Sequence, residues 1–281
     1  MSKTVLPSDL DDSRNVESVE SALAEALTPI SPDGLRTSAL RARLMQRARA
    51  SRAGEEQFVN VRRDEGEWRP LAKGVRAKML CEGKRAHSVL VELDAGAALP
   101  THRHHEHEEC VVLRGEARLG ELQVRQGDYH LAPAGSRHSR VSSATGALLY
   151  LRGTSIGSSV GVARDLITAW LPGAGASPIT VRADEGEWRE FAPGAQIKSL
   201  WRDADAQSML LRLQPGARAD AHAHSTDEEC LMLDGEAFLG DTLLRAGDYQ
   251  LAPAGSRHRE VASDVGALLF VHGGSAQCAI R

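Results

Sequence analysis

The chain has 281 residues, a formal net charge of −4 and 42% hydrophobic residues, a composition typical of a globular protein of about two domains. The acidic balance excludes a chain-wide basic footprint, and with 4% aromatic residues we expect no direct contact with nucleic acid. The sequence contains no run of about 18 apolar residues, so we expect no membrane span. Because its first residues are polar and lack an apolar signal core, we expect a cytoplasmic protein.

Residues 1–57 predict a small helical region. A first helical face is formed by the apolar residues Val16, Val19, Leu23 and Leu27. Prolines at 29 and 32 then break the chain, and Leu40 and Leu44 follow helical spacing in a second helix. The other face of this second helix carries Arg36, Arg41, Arg43, Arg47 and Arg49. This basic face is either a solvated surface or a docking surface for a partner.

The remainder of the chain is a duplication. Segments 61–68, 108–120 and 127–138 return 120 residues later as 181–188, 228–240 and 247–258. We therefore predict two copies of one domain, at 58–153 and 178–281, joined by a linker at 154–177 with a short helix near 162–171. Short β-rich runs punctuated by glycine and proline predict an all-β barrel or sandwich in each copy, and alternation over 87–96 predicts a half-buried strand.

Both copies repeat one pattern of histidine, glutamate and glycine. Each reads G-x5-H-x-H-x3-E-x6-G and later G-x5-P-x-G-x2-H. Residues i and i+2 of a strand face the same side, so the two histidines of H-x-H can converge on one point. Three imidazoles and one carboxylate suit a divalent first-row transition metal. The predicted ligands are His102, His104, Glu108 and His138 in the first copy, and His222, His224, Glu228 and His258 in the second.

Comparison of the two copies separates these residues from nearby ones. His105, His107 and His130 are replaced by Ser225, Asp227 and Gln250, so they are not expected to be shared ligands. Glu109 and Glu229 are expected on the outer face of the barrels.

Cys110 and Cys230 recur two residues after the glutamates and should face the barrel interior. They are either small buried core residues or thiols beside the metal that respond to oxidants.

The paired motifs resemble those of the cupin superfamily, over residues 58–153 and 178–273. The resemblance implies two tandem cupin barrels of the double-stranded β-helix or jelly-roll type, after the short helical N-terminal region. It also implies two divalent transition metal ions per chain, with zinc preferred and iron, nickel or manganese as alternatives. A small-molecule ligand in the barrels, a pseudo-twofold pairing of the barrels and a homodimer are further expectations.

A narrower resemblance is carried by EGEWRPLAKGVRAKML at 65–80 and by residues 90–120, which are similar to the cupin domain of the ChrR group of anti-sigma factors. This resemblance implies a zinc-binding regulator that senses oxidants and binds an alternative sigma factor through its N-terminal helices. The H-x3-C-x2-C zinc motif of those anti-sigma domains is absent, because no cysteine or histidine precedes Cys81.

Two other functions remain open. The same cupin subfamily also resembles diketone-cleaving enzymes, and bicupins include enzymes that cleave flavonols or phenolic rings. The resemblance therefore also allows a metal-dependent dioxygenase, which would need open metal positions for substrate and O2. A closed four-ligand zinc would instead be structural or regulatory. The third function is a purely structural module that its metals stabilise. The coordination number of the bound metal would distinguish an open catalytic site from a closed structural or regulatory one.

Overall fold

The computed structural model describes residues 19–23, 25, 27, 34–83, 87–171 and 176–274, and the chain divides into compact units at 1–52 and 53–281. Residues 19–23 and 25 are helical as predicted, whereas Val16, Pro29 and Pro32 lie outside the described residues. The second predicted helix is α1, Gly34–Glu55. None of its residues is buried, and Leu40 and Leu44 are 51% and 63% exposed. Within the described chain, no helix combines the length and apolarity that crossing a membrane requires.

The second unit is built from β-strands. After β1 (Val59–Val61), the first barrel contains β2 (Trp68–Ala72), β3 (Val75–Glu82), β4 (His87–Leu93), β5 (Ala98–Leu99), β6 (His102–Arg103), β7 (Glu108–Leu119), β8 (Leu122–Arg125), β9 (Tyr129–Ala132), β10 (Arg137–His138), β11 (Val141–Ser142) and β12 (Ala147–Thr154). The connecting segment forms α2 (Ser159–Ile167) and a 3-10 turn (Thr168–Trp170). This helix begins three residues before the predicted start, because the Ser158 hydroxyl caps it by accepting from the Gly161 amide.

The second barrel repeats the first. Its strands are β13 (Ile179–Val181), β14 (Arg189–Ala192), β15 (Ala195–Arg202), β16 (Ala206–Leu213), β17 (Arg218–Ala219), β18 (His222–Ala223), β19 (Glu228–Leu239), β20 (Thr242–Arg245), β21 (Tyr249–Ala252), β22 (Arg257–His258), β23 (Val261–Ala262) and β24 (Ala267–Gly274). The large sheets have the orders β13-β9-β7-β12-β4-β3-β2 and β1-β21-β19-β24-β16-β15-β14. The predicted all-β fold of two barrels with a helical N-terminal region is confirmed.

The two barrels exchange their first strands. β1 pairs with β21 of the second barrel, and β13 pairs with β9 of the first. Each exchanged strand is clasped by an ion pair, Arg62 to Asp248 at 3.0 Å and Arg182 to Asp128 at 2.8 Å. The arginine of each repeated V-R segment and the aspartate of each repeated G-D-Y segment therefore form the ion pair that holds an exchanged strand.

Apolar side chains fill three regions. One cluster lies inside each barrel, and a third lies between the barrels around Tyr129, Tyr150, Tyr249 and Phe270. The third cluster explains why residues 88–91 are all buried, although alternation predicted one exposed face. The outer face of this strand packs on the other barrel, so the barrels share a core.

The motif glycine that follows each glutamate has a steric origin. Gly115 and Gly235 adopt positive φ angles of 73° and 71°. A Cβ atom at either position would overlap the carbonyl oxygen of Gly146 or Gly266, the residue just before the neighbouring strand. Only glycine fits this position of the long strand.

Candidate metal centres

The four predicted ligands of the first barrel converge. His102 and His138 are directly opposite each other on β6 and β10, and Glu108 begins β7. His104 lies just beyond β6, with its ring centroid 4.6 Å from that of His138. One ligand atom from each of the four residues lies within 4.8 Å of all the others. This convergence is what a single bound cation requires.

The second barrel reproduces this geometry. His222 and His258 are paired across β18 and β22, and the four ligand atoms again lie within 4.8 Å of one another. Glu228 Oε1 lies 3.6 Å from His222 Nε2 and 3.4 Å from His224 Nε2. Two clusters of the same composition therefore occur among the described residues.

Unpartnered buried nitrogens test whether a metal fits. His224 Nε2 and His258 Nδ1 are buried without a hydrogen-bond partner, while their other ring nitrogens contact Ser256 Oγ and Gln250 Oε1, each at 2.8 Å. His104 Nε2 in the first barrel is also unpartnered. A buried lone pair without a partner is destabilising, and coordination satisfies it. The donor set and these orphaned atoms fit a divalent transition metal.

The protonation states also fit. Burial lowers the pKa of His104 and His138 to about 3 and that of His258 to about 4. Burial opposes ionisation of Glu228, but the neighbouring His222 and His224 imidazoles outweigh it and lower the Glu228 pKa to about 2. At neutral pH these three imidazoles are neutral and this carboxylate is charged, the forms that bind metal. His222 differs, because Glu228 raises its pKa despite burial.

The metal-free protein should lose stability as the pH falls from about 6.5 toward about 4. The three buried histidines have folded-state pKa values below the usual 6.5, so the unfolded chain binds protons before the folded chain does. Each such histidine costs about 1.4 kcal/mol of unfolding free energy per pH unit in that window. Urea unfolding of chelator-treated protein at pH 7, 6 and 5 measures this loss. An unfolding free energy that stays constant across these pH values would contradict it.

Each cluster opens into an apolar cavity. The cavity of the second barrel is about 400 Å³ and reaches His222, Glu228 and His258. That of the first barrel is about 250 Å³ and is lined in part by Val162 and Leu166 of α2. Among the described residues, neither lining includes lysine or arginine. The cavities therefore favour a ligand with a large apolar part over one that needs a fixed positive partner.

Cys110 and Cys230 face these cavities as strand alternation predicts. They are 3% and 4% exposed and belong to the apolar clusters inside the barrels. Burial, with Glu108 adding to it, raises the pKa of Cys110 well above its usual value. A protonated thiol is a poor nucleophile, which favours the core interpretation for Cys110. The oxidant-sensing role of both thiols stays a prediction.

The histidines that change between the copies lie outside both clusters. His105 Nδ1 lies 2.6 Å from Asp165 Oδ1 on α2, and the His107 ring lies against Trp201. His130 Nε2 is 3.2 Å from His138 Nε2, directly behind a predicted ligand. His130 and Gln250 thus contact ligands without belonging to the clusters. His130 and Gln250 occupy equivalent positions in the two copies and are both polar, and this was the sequence signal that could have indicated contact with the ligands.

The glutamates beside the ligands form a separate network. Glu109 and Glu229 lie on the outer face of the barrels, as predicted. They are nevertheless only 1% and 8% exposed, because the two barrels contact each other through that face. Glu109 accepts from Tyr129, Ser208 and Arg152, and Glu229 accepts from Ser88, Tyr150, Tyr249 and Arg152. Burial opposes ionisation of Glu109, but His272 and Arg152 hold its pKa at about 2.

Two barrels that share a core, each with a His3Glu cluster, define a bicupin with two candidate metal centres. The sequence matches the ChrR cupin-like domain family over residues 56–155 and 176–277. The chain therefore belongs to that family.

The fold is similar to that of solved bicupins. A Nostoc punctiforme protein described as a candidate dioxygenase is 17% identical, with a TM-score of 0.60 over 79% of this chain and 84% of that one. A variant of Bacillus subtilis oxalate decarboxylase is 21% identical, with a TM-score of 0.57 over 76% of each chain. The same decarboxylase at pH 4.6 gives 0.54 at 21% identity, over 76% of this chain and 75% of that one. No curated protein matches this sequence.

Proposed function

We propose that this protein is a metal-binding regulator of the anti-sigma type, with one divalent ion, zinc by preference, in each barrel. The paired His3Glu clusters, with their orphaned buried nitrogens, carry the metal part of the proposal. Membership of the ChrR cupin-like family supports the regulatory part. When bound, the ion would supply a charged centre that ties three strands together, β6, β7 and β10 in the first barrel and β18, β19 and β22 in the second.

The partner is proposed to be an alternative sigma factor that binds the N-terminal helices. α1 supports this proposal because it buries none of its residues and exposes leucines together with arginines. Leu35, Leu40 and Leu44 are 86%, 51% and 63% exposed. Exposed leucines on one helix are typical of a surface that a partner covers.

A metal-dependent dioxygenase is the second candidate, and the cavities favour it. The cavity of about 400 Å³ in the second barrel is within the range of small-molecule sites, and it is mostly apolar. Met209, Leu211 and Phe191 would contact the body of a diketone or phenolic substrate, while His222, Glu228 and His258 lie at one end. Iron, nickel or manganese held there would supply the site at which a substrate anion and O2 bind.

One experiment separates these functions. The full-length protein, isolated without chelators, is mixed with each alternative sigma factor of its host and is also assayed for O2 consumption with diketones and phenolic compounds. We expect capture of one sigma factor and its loss in Leu40→Glu/Leu44→Glu, because charge on the exposed apolar face opposes docking. Arg69→Glu, an exposed substitution on β2, is the control and should leave capture unchanged.

Failure to capture any sigma factor would contradict the regulatory proposal. If the iron-loaded protein instead consumed O2, and His102→Ala/His222→Ala abolished this, the dioxygenase would replace it.

A further inference from the structure

The exchanged strands place one polar residue of each copy behind the metal cluster of the other barrel. Asn60 on β1 is directly opposite Gln250 on β21. Thr180 on β13 is directly opposite His130 on β9. Gln250 and His130 in turn contact His258 and His138, the predicted ligands contributed by the last motif of each copy.

In the second barrel these contacts form a directional chain of hydrogen bonds. Gln250 is fully buried, and its Oε1 lies 2.8 Å from His258 Nε2. Because an amide oxygen only accepts, the Nε2 atom of His258 must carry the ring proton. The Nδ1 atom of His258 is then a lone pair, and it lies 4.0 Å from Glu228 Oε1 without a hydrogen-bond partner.

Asn60 contacts the end of the Gln250 amide that faces away from His258. The Nε2 atom of Gln250 donates to Asn60 Oδ1 at 2.8 Å. If the Gln250 amide turned over, its NH2 group would face His258 Nε2 and would favour the tautomer with the proton on Nδ1. Asn60 therefore acts on the ligand through Gln250, from the opposite end of the sequence.

The first barrel has a chain of the same shape but different chemistry. His130 is 4% exposed; its Nε2 lies 3.2 Å from His138 Nε2, and its Nδ1 lies 2.9 Å from Thr180 Oγ1. A hydroxyl both donates and accepts, so Thr180 holds the His130 ring in place. The two copies therefore keep the same three-residue chain while changing two of its members.

We propose that Asn60 and Thr180 are positioning residues, each in the barrel to which its strand is exchanged: Asn60 orients the Gln250 amide that faces His258, and Thr180 holds the His130 ring that faces His138. This inference rests on the metal binding proposed above. Partners of ligand histidines in other metal sites fix the tautomer and the ring orientation, and their loss costs about 10- to 100-fold in metal affinity. Because β1 and β13 each pair with the other barrel, a substitution in one copy should weaken metal binding in the barrel of the other copy.

Cobalt titration of full-length protein in competition with a chelator tests the crossing. The second site is observed alone in a His104→Ala background, and the first site alone in a His224→Ala background. Asn60→Leu should weaken Co²⁺ binding at the second site by about 10-fold or more and shift its d–d absorption, while leaving the first site unchanged. Asn60→Asp keeps an acceptor and should stay close to wild type. Thr180→Val should weaken the first site alone.

The outcomes separate this inference from the proposal beneath it. Wild-type protein that binds no cobalt removes the proposed metal function itself. Wild-type protein that binds two ions, combined with an unchanged second site in Asn60→Leu, overturns the positioning role. Equal weakening of both sites, or an Asn60→Asp variant as weak as Asn60→Leu, also overturns it, because either result indicates general damage to the fold.

Discussion

Replacing His222 and His258 together by alanine is expected to reduce the bound metal from two ions per chain to one. The double variant removes two of the four ligand side chains of the second cluster and leaves the first cluster intact. A four-ligand structural zinc site is worth about 10–16 kcal/mol of binding free energy, so half a ligand set should not retain the ion through gel filtration. Metal analysis of protein purified without chelators or a metal-affinity tag measures the change.

His107→Ala is the matched control for this experiment. His107 lies in the same histidine-rich segment, 102–108, as three residues of the first cluster, but its ring contacts Trp201 and it is not a cluster member. The control should keep both ions. Retention of two ions by the double variant, or the same loss in His107→Ala, would contradict the assignment of the ligands. The metal found in wild type also bears on function, since zinc favours the regulator and iron, nickel or manganese favours oxygen chemistry.

Arg152→Met is expected to lower the free energy of unfolding by about 3–5 kcal/mol. Arg152 Nε lies 2.8 Å from Glu229 Oε1, and Arg152 Nη1 lies 3.2 Å from Glu109 Oε1. Methionine preserves much of the side-chain volume but removes the guanidinium from the two buried carboxylates, of which Glu109 keeps the His272 imidazole 2.8 Å from its Oε1. Uncompensated buried charge, rather than a cavity, is the source of the loss. Urea unfolding at pH 7 measures it.

The pH dependence of this variant distinguishes lost charge from lost packing. Without Arg152, desolvation should raise the folded-state pKa of the two glutamates above the usual 4.5. The folded variant would then take up protons first, so its deficit relative to wild type should shrink as the pH falls from 7 to 5.

The control is Arg114→Met, which removes a 66%-exposed partner of Glu92 and should cost at most about 1 kcal/mol. Equal losses in the two variants, or a deficit independent of pH, would refute the charge explanation.

The network around Arg152 also shows how duplication was followed by divergence. Arg152 and His272 occupy equivalent positions, as do Tyr150 and Phe270, and Glu109, Glu229 and the two serines are retained. One barrel supplies the guanidinium and the other the imidazole to a shared polar core. The barrels are thus held together by groups that neither copy could satisfy alone.

The sequence alone determined the two barrels and the composition of both clusters. Because the repeat has an offset of 120 residues, each motif is seen twice in the sequence. The H-x-H spacing directs two imidazoles to one face of a strand. These features depend on residues that are close together in the chain, so they can be recognised in the sequence. The glycine that follows each glutamate belongs with them, because its positive φ angle is demanded by its own strand and the next.

Only the tertiary structure decided what lies behind and between the clusters. Two similar copies offer each strand two similar partners, so the repeat cannot show that β1 pairs with the second barrel and β13 with the first. For the same reason it could not place Asn60 behind His258, or bury Glu109 and Glu229 on a face that the pattern marks as polar. Contacts between a residue of one copy and a residue of the other produce no repeating pattern in the sequence, so only the folded structure identifies these partners.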